Sequence, residues 1–244
     1  MIYRSKLIWT YGAIEPRFGP MIVALKRLTV QRRLLSGSIY QDQRASMPLG
    51  SYALALMLIT FLQTENPPIL PKLQQAPSQD DHDRPMKEVI VQGIDCSFDR
   101  DWKFYRETGS GSGNIKSAAE LLVDFCRFFG YVFDYESKEV NARIGAFRWR
   151  PDVSNKSENT VDDLASTGST NVVSMTAPGA MTATTTKEKE SSSAVLFQVM
   201  DPFVIGLNVM AGCSDEKVRM VKECFQEAYE ALIEGDINLA FSDS

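Results

Sequence analysis

A run of apolar residues without any charge extends from Ala53 to Leu62, and Thr60 is its only polar member. Alanine, leucine and methionine dominate the run, so the propensities of its residues favour a helix over a strand. About ten apolar residues are too few to cross a bilayer, which needs about 20. A helix that is apolar on all sides is a buried helix. We therefore predict that the rest of the fold surrounds this segment.

The segments before this run are predicted to form amphipathic helices. Residues 2–13 carry apolar side chains at helical spacing, and Gly12 is expected to end that helix. Residues 20–34 combine an apolar face with a basic one. The chain then enters the buried helix at Gly50 and Ser51, either of which suits the N-cap position.

Two later helices carry capping signals in the sequence. Ser117 and Glu120 have the spacing of a capping box, and the wide apolar face that follows is expected to end at Gly130. Ser214 is predicted to cap the last helix, because the acidic first turn that follows it suits the helix dipole. Gly235 follows the end of this helix.

Short strands are predicted at three places along the chain. The first is an extended piece at residues 89–91. Residues 131–135 and 140–147 flank a polar turn and predict a β-hairpin, and order resumes in residues 194–200. The predicted fold class is therefore mainly α (α+β), a helical domain with a short β-hairpin and one or two further short strands.

Two polar segments interrupt this domain. Residues 72–87 are polar and contain two prolines, which predicts a flexible loop. Residues 150–193 are rich in Ser, Thr, Asn and Ala and have almost no large apolar side chains, which predicts a low-complexity, disordered insertion. Residues 1–149 and 194–244 are predicted to form one helical domain.

The overall composition is that of an ordinary globular protein, with 244 residues, 44% hydrophobic and 23% charged, and a net charge of −5. Residues 1–50 are nevertheless basic. Such a region suits either a polyanion or phosphate partner or a set of solvated helix faces, and charge alone favours the second interpretation. The first residues do not resemble a signal peptide. We expect an intracellular protein, cytoplasmic or nuclear, without a membrane partner.

The cysteine and histidine content excludes several kinds of site. The four cysteines show no C-x-x-C spacing, which indicates buried or incidental thiols in a reducing compartment. His82 is the single histidine, so no Ser-His-Asp triad built on another histidine is available. Asp81 and Asp83 flank His82 and could assist metal binding, but the composition favours an exposed acidic loop.

Four blocks of sequence carry a resemblance to a known family. They are Ser5-Lys-Leu…Tyr11…Glu15-Pro-Arg17…Lys26, Ser51-Tyr-Ala-Leu-Ala-Leu-Met-Leu…Pro67-Pro-Ile-Leu-Pro71, Lys116-Ser-Ala-Ala-Glu-Leu-Leu…Phe133, and Val199-Met-Asp-Pro-Phe203…Asn208-Val209. In this order they resemble the central helical domain and the poly(A)-polymerase-associated domain of the terminal nucleotidyltransferases. That superfamily contains poly(A) polymerases and terminal uridylyltransferases, which extend RNA 3′ ends.

The resemblance implies a nucleotide site made of five residues. Ser5 matches a hydroxyl residue that contacts the nucleotide sugar or phosphate, and Lys26 matches a lysine that pairs with the triphosphate. Ser51 would bond a phosphate oxygen with help from the N–H groups of the helix start. Tyr52 would stack on the nucleobase, and Asp201 matches an acid near the base edge. Without the resemblance, each of these residues is explained by an ordinary structural role.

The chain also departs from the family pattern at four positions. Arg4 replaces the usual asparagine before Ser5, and Leu28 replaces a tryptophan. Val30 stands where a second triphosphate lysine is usual, and Leu207 stands near the place where uridylyltransferases of this type often have a histidine. These departures leave the choice between ATP and UTP open and indicate weaker binding of the triphosphate.

Catalysis in this superfamily requires a nucleotidyltransferase domain, in which a Gly-Ser motif precedes Asp-x-Asp and a third carboxylate. These acids bind two Mg²⁺ or Mn²⁺ ions. Asp81-His-Asp83 has a comparable spacing, but it lies in a proline-flanked loop without a scaffold strand. We therefore expect no catalytic or metal-binding residue in this chain, and metal ions only in a separate catalytic domain.

The resemblance thus predicts the nucleotide- and RNA-binding part of a terminal RNA nucleotidyltransferase that is inactive alone. Its expected partners are ATP or UTP, an RNA 3′ end and the nucleotidyltransferase domain. The alternative is a noncatalytic RNA-binding or protein-interaction module derived from the same family. The departure at Val30, the basic N-terminal region and the acidic last helix motivate this alternative.

Overall fold

The computed structural model describes residues 2–31, 49–75, 86–109, 113–150 and 197–235. The predictions for the low-complexity insertion and for most of residues 72–87 lie outside these ranges, as does His82. The described residues form six α-helices, one π-helical turn and five short strands. These elements are α1 (Ile2–Ile14), α2 (Phe18–Gln31), α3 (Ser51–Thr64), β1 (Ile90–Val91), β2 (Ile94–Asp95), α4 (Trp102–Glu107), α5 (Ala118–Arg127), the π turn (Phe128–Val132), β3 (Lys138–Asn141), β4 (Ala146–Trp149), β5 (Gln198–Met200) and α6 (Asp215–Ile233).

Helix α3 is the centre of the core, as its apolar sequence predicts. Every residue from Ala53 to Gln63 is buried. At the polar end of the helix, the side-chain nitrogen of Gln63 donates to the Tyr11 hydroxyl and to the Pro71 carbonyl, each at 3.0 Å, whereas its side-chain oxygen is buried without a hydrogen-bond partner. The helix therefore buries its whole circumference without leaving this amide nitrogen unpaired, which would be costly in an apolar interior.

A three-stranded sheet packs against α3 and has the order β4-β3-β5. Strands β3 and β4 are antiparallel, with Val140 opposite Phe147. Strand β5 pairs with β3 in parallel, with Val140 opposite Val199. The buried middle strand β3 therefore joins two segments that are far apart along the chain. The helices and these short strands confirm the mainly α (α+β) fold class.

The β-hairpin exists, but its predicted position is wrong. Residues 131–135 do not form its first strand, because Phe133 and Tyr135 pack into the aromatic core next to the π turn. The Asp134 carboxylate then accepts hydrogen bonds from the backbone N–H groups of Glu136 and Ser137, which makes a turn before β3 begins. Tertiary packing of aromatic rings has overridden the local alternation on which the prediction relied.

Gly130 does not end a helix, so that prediction is also wrong. It lies inside the π turn, which continues directly from α5 to Val132. A Cβ atom at Gly130 would lie 2.9 Å from the backbone nitrogen of Gln226 in α6. The glycine is required for the close approach of the two elements, and Gln226 seals the contact by donating to the Gly130 carbonyl at 2.9 Å.

The other helix predictions differ in smaller ways. Helix α1 continues past Gly12 to Ile14, and α4 was not predicted at all. Ser117 and Glu120 form the predicted capping box. Ser214 occupies the predicted N-cap position of α6, but its side chain makes no capping hydrogen bond. All four cysteines are buried free thiols. In the parts of the chain described above, no helix is long and apolar enough to cross a membrane.

Candidate nucleotide site

A rigid turn after β5 places Asp201 in the interior. The Asp201 side chain is fully buried, and its Oδ1 accepts hydrogen bonds from the backbone N–H groups of Phe203 and Val204, both at 2.9 Å. The Asp201 N–H donates to the Leu207 carbonyl at 2.8 Å, which closes the turn. The carboxylate is therefore oriented before any ligand arrives.

Asn208 holds the far side of the same turn. Its side-chain oxygen accepts from the backbone N–H groups of Val199 and Met210, and its side-chain nitrogen donates to the Phe197 carbonyl. The neighbouring Pro202 carbonyl accepts from the side chains of Gln74 and Arg143, both at 2.8 Å. These bonds explain why the Asp-Pro-Phe and Asn-Val pieces of the motif occur together.

Tyr52 meets Asp201 from the first turn of α3. Its hydroxyl donates to Asp201 Oδ2 at 3.3 Å. Burial of the ring, and after it the negative charge of Asp201, raises the pKa of Tyr52 well above its ordinary value. The hydroxyl is therefore a neutral donor at any physiological pH. The structure brings together these two predicted site residues, which are 149 positions apart in the sequence.

Arg4 completes the cluster and was not predicted to be part of the site. Its Nη2 lies 2.6 Å from Asp201 Oδ2, and its guanidinium carbon lies over the Tyr52 ring, 5.1 Å from the ring centroid. A cation at this position interacts favourably with the π-face of the ring as well as with the carboxylate. The available signal was the replacement of the family's asparagine by arginine next to Ser5.

The start of α3 is open to an anionic ligand. Gly50 is the N-cap and has no side chain with which to cap, and Ser51 is the exposed first residue of the helix. The N–H groups of a first helical turn lack partners within the helix, and the dipole favours negative charge there. Such a helix start accepts phosphate groups, and Tyr52 lies one residue further on.

The remaining predicted residues, Ser5 and Lys26, are exposed on α1 and α2. Ser5 follows Arg4 directly and borders a groove of α1 that Ile2, Lys6 and Trp9 also line. Among the described residues, no hydrogen bond or ion pair joins either side chain to Tyr52 or Asp201. Their roles in binding stay predictions.

Two of the sequence departures lie at the surface. Val30 is 42% exposed and Leu207 is 39% exposed, so both side chains could contact a ligand only through apolar atoms. Neither can replace the polar group that the family pattern places there. In the described part of the chain, no three His, Cys, Asp or Glu side chains come together in a way that could hold a metal ion.

Solved structures with this fold include mtPAP and the Cid1 poly(U) polymerase. A structure of mtPAP without ligand matches 99% of this chain and 42% of its own, with a TM-score of 0.64 and 19% identity. A structure of Cid1 with the UTP analogue UMPNPP matches 100% of this chain and 63% of its own, with a TM-score of 0.66 and 20% identity. At these identities the likeness establishes the fold, which is that of part of a poly(A) or poly(U) polymerase.

The sequence relatives are more specific. Poly(A) RNA polymerase cid13 of Schizosaccharomyces pombe is 37% identical over 143 residues, which cover 59% of this chain and 22% of that protein. The mitochondrial poly(A) RNA polymerase of Homo sapiens is 28% identical over 150 residues, which cover 62% of this chain and 23% of that protein. The chain thus spans about a quarter of the length of these relatives. No protein-family model matches it.

The homologues of this chain are therefore poly(A) RNA polymerases and terminal uridylyltransferases, and its structural neighbours belong to the terminal nucleotidyltransferase superfamily. This finding confirms the resemblance inferred from the four sequence blocks.

Proposed function

We propose that this chain is the helical, nucleotide- and RNA-contacting part of an enzyme that adds nucleotides to RNA 3′ ends. The observation that carries the proposal is the meeting of Tyr52 and Asp201 beside the open start of α3. Relatives named as poly(A) RNA polymerases, and neighbours solved with UTP or CTP, support the same reaction class.

Each side chain has a defined task in this proposal. Tyr52 provides a ring for the nucleobase, a contact worth about 1–3 kcal/mol per base. Ser51 and the first N–H groups of α3 bind phosphate oxygens, while Lys26 supplies a compact positive charge for the triphosphate. Ser5 contacts the sugar or phosphate, and Asp201 lies beside the base. The ring is pre-oriented by its bond to Asp201, which reduces the ordering cost of binding.

The carboxylates that bind Mg²⁺ or Mn²⁺ for nucleotide transfer belong, in this proposal, to a nucleotidyltransferase domain with which the chain works. The purified 244-residue chain is then expected to leave a labelled RNA unchanged when incubated with Mn²⁺ and each nucleoside triphosphate. Extension of the RNA that survives replacement of both Asp81 and Asp83 by Ala would contradict this assignment.

Nucleotide binding is tested by thermal unfolding. UTP or ATP at millimolar concentration should raise the melting temperature by mass action, and Tyr52→Ala should abolish the shift. Tyr131→Ala is the matched control, because Tyr131 is 49% exposed, its hydroxyl donates to Glu230 and its ring packs on Tyr229, both in α6. Equal shifts in the wild type and in Tyr52→Ala would show that the ring does not contact the nucleotide.

A noncatalytic module is the second candidate, and one observation favours it. Large apolar side chains are exposed on the N-terminal helices, including Ile2 at 68%, Trp9 at 62% and Val23 at 66%. Exposed patches of this kind often mark interaction surfaces. The module is favoured if the wild type shows no thermal shift with any nucleotide but still binds RNA or a protein partner, and if Trp9→Ala weakens that binding.

A further inference from the structure

We infer that Arg143 is a positioning residue for the nucleotide site, because it fixes the peptide group that orients the Asp201 carboxylate toward Tyr52. This inference rests on the proposed function, since a nucleotide would be held through the Tyr52 ring. Arg143 lies two residues after strand β3, outside the four sequence blocks that carry the family resemblance. Its guanidinium acts through the turn after β5 and is not required to touch the nucleotide.

The peptide group between Pro202 and Phe203 connects Arg143 to Asp201. Its carbonyl accepts from Arg143 Nη1 and from the Gln74 side chain, both at 2.8 Å. Its N–H donates to Asp201 Oδ1 at 2.9 Å. A trans peptide group is planar, so its carbonyl and its N–H point in opposite directions and turn together. The donors on the carbonyl therefore fix the direction in which the N–H meets the carboxylate.

Arg143 also brings a positive charge to this peptide group. A guanidinium donates a charge-assisted hydrogen bond, which is stronger than the bond from a neutral amide such as that of Gln74. A hydrogen bond to the carbonyl polarises the N–H of the same peptide group, which strengthens the bond from Phe203 to Asp201. The Asp201 side chain is fully buried, and a buried charge needs its hydrogen-bond donors. Of the two donors to the carbonyl, Arg143 is therefore expected to have the larger effect on the carboxylate.

Arg143 is held on its other side by Asp95, the last residue of β2. Arg143 Nη2 lies 3.2 Å from Asp95 Oδ2, and Asp95 Oδ1 accepts from the Ser97 N–H at 2.9 Å. Hydrogen bonds from Ser97, and with a smaller effect the guanidinium of Arg143, lower the pKa of Asp95, so this carboxylate is charged at neutral pH. Both terminal nitrogens of the guanidinium are therefore bonded, which restricts its planar fork to one orientation.

The contact between Tyr52 and Asp201 is sensitive to the orientation of the carboxylate. The Tyr52 hydroxyl lies 3.3 Å from Asp201 Oδ2, whereas a hydroxyl and an oxygen acceptor usually lie about 2.5–3.0 Å apart. A small rotation of the carboxylate is enough to break this bond, because the bond is already long. The N–H groups of Phe203 and Val204 oppose such a rotation by holding Oδ1. Loss of Arg143 should weaken the first of these bonds and thereby release the Tyr52 ring.

The test measures the dissociation constants of the full chain for UTP and ATP by titration calorimetry, in the wild type and in Tyr52→Phe. Arg143→Met removes the donors and keeps an unbranched side chain. In the wild-type background it should weaken nucleotide binding by about fivefold, the factor that one hydrogen bond provides. In Tyr52→Phe the link from Asp201 to the ring is already cut, so Arg143→Met should cause no further loss.

Two readouts distinguish positioning from a purely structural role of Arg143. A purely structural role would reduce the affinity by the same factor in the wild-type and Tyr52→Phe backgrounds. Arg143→Lys retains a cationic donor for the Pro202 carbonyl and should recover most of the affinity. Affinity in Arg143→Lys as low as in Arg143→Met would contradict the role assigned to this donor.

Arg148→Met is the matched control. Arg148 lies in the neighbouring strand β4, and its Nε lies 2.6 Å from the buried carboxylate of Glu139, whereas Arg143 bonds the Pro202 carbonyl. The control variant should lower the free energy of unfolding and leave both dissociation constants unchanged. A fivefold weakening in Arg148→Met as well would show that loss of any arginine near this sheet has the effect, which overturns the specific role of Arg143.

Asp95→Asn keeps the inference testable if Arg143→Met does not fold. The Asp95 side chain is 43% exposed, so its replacement should be tolerated. The new side chain keeps an oxygen for Ser97 and presents an amide nitrogen to the guanidinium, which displaces Arg143 without removing it. Asp95→Asn should therefore weaken nucleotide binding in the wild-type background but not in Tyr52→Phe.

The outcomes separate this inference from the function on which it rests. An equal loss of affinity in both backgrounds, or no loss in the folded variants of Arg143 and Asp95, overturns the positioning role and leaves the proposed function standing. Failure of the wild type to bind any nucleotide overturns the proposed function itself, and the positioning role falls with it.

Discussion

Helices α3 and α5 both begin next to a serine, but the two serines have different surroundings. At α5, the Ser117 hydroxyl accepts from the Glu120 N–H at 3.2 Å, while the Glu120 carboxylate accepts from the Ser117 N–H at 2.7 Å. At α3, the N-cap is Gly50 and the exposed Ser51 is already inside the helix. The start of α5 is capped by side chains, whereas the start of α3 has no side-chain cap.

The surroundings of the two helix starts also differ, since one is apolar and the other is polar. Helix α5 leads into a cluster of packed rings that includes Phe125, Phe129 and Phe225, where shape decides stability. The start of α3 lies beside the polar cluster of Arg4, Tyr52 and Asp201, which contains an ion pair and a hydrogen bond from the Tyr52 hydroxyl. The comparison separates a packed apolar region from the polar cluster to which the proposed function assigns nucleotide binding.

The largest effect is expected from Gly130→Ala in the packed region. The new methyl group would lie 2.9 Å from the Gln226 backbone nitrogen, so α6 must shift, and overpacking of this kind costs about 1–3 kcal/mol. Denaturant unfolding should show the loss, while the affinity of the folded protein for nucleotide should not change. Gly19→Ala is the control, because its methyl group would have no atom within 4 Å and alanine favours a helix. A stability loss in Gly19→Ala equal to that in Gly130→Ala would contradict the explanation.

Smaller effects are expected from replacing Ser117 and Ser51, and these two variants compare the two helix starts directly. Ser117→Ala removes the capping box and should lower the free energy of unfolding by about 1 kcal/mol, without changing nucleotide binding. Ser51→Ala should have the reverse profile, because its hydroxyl is exposed and caps nothing. Its stability should stay within about 0.5 kcal/mol of the wild type, and its thermal shift with nucleotide should fall. Identical profiles for the two variants would remove the distinction between the two helix starts.

The smallest effect on stability is expected when a capping side chain is introduced at Gly50, at the start of α3. Gly50 has an extended backbone that suits a capping side chain, and nothing lies within 4 Å of its Cβ position. Gly50→Asp should stabilise the fold by a few tenths of a kcal/mol and should repel the triphosphate. Gly50→Asn introduces a capping side chain without a charge. A comparison of the nucleotide affinities of the two variants therefore distinguishes the effect of occupied N–H groups from the effect of charge repulsion. Nucleotide affinity equal to that of the wild type in both variants would exclude phosphate binding at this helix start.

The predictions from sequence succeeded where the signal is local and strong. The buried helix α3 follows from an uncharged run of helix-forming residues, and the capping box at Ser117 follows from a spacing of three residues. They failed where distant packing decides the outcome. The ring of Phe133 draws its segment into the core, and Gly130 serves a helix that lies about a hundred residues further along the chain.

The candidate site shows the same division. Tyr52 and Asp201 could be proposed from motifs, but their contact could not be derived from spacing, since they are 149 residues apart. Arg4 was visible only as a departure from the family pattern. Its importance depends on three segments meeting at one carboxylate oxygen, and no pattern within a single segment encodes that meeting.

The parallel pairing of β5 with β3 has a consequence for how this protein could be divided. Val199 lies opposite Val140, and Asp201 follows two residues later, so the position of the Asp201 carboxylate is set by a strand about sixty residues earlier in the chain. A break in the backbone between Trp149 and Gln198 would remove no hydrogen bond of the β4-β3-β5 sheet. The two fragments each retain their own strands, and their reassembly would rebuild the Asp201 turn against Tyr52. The fold is therefore suited to split-protein complementation, with nucleotide binding as the reporter of association.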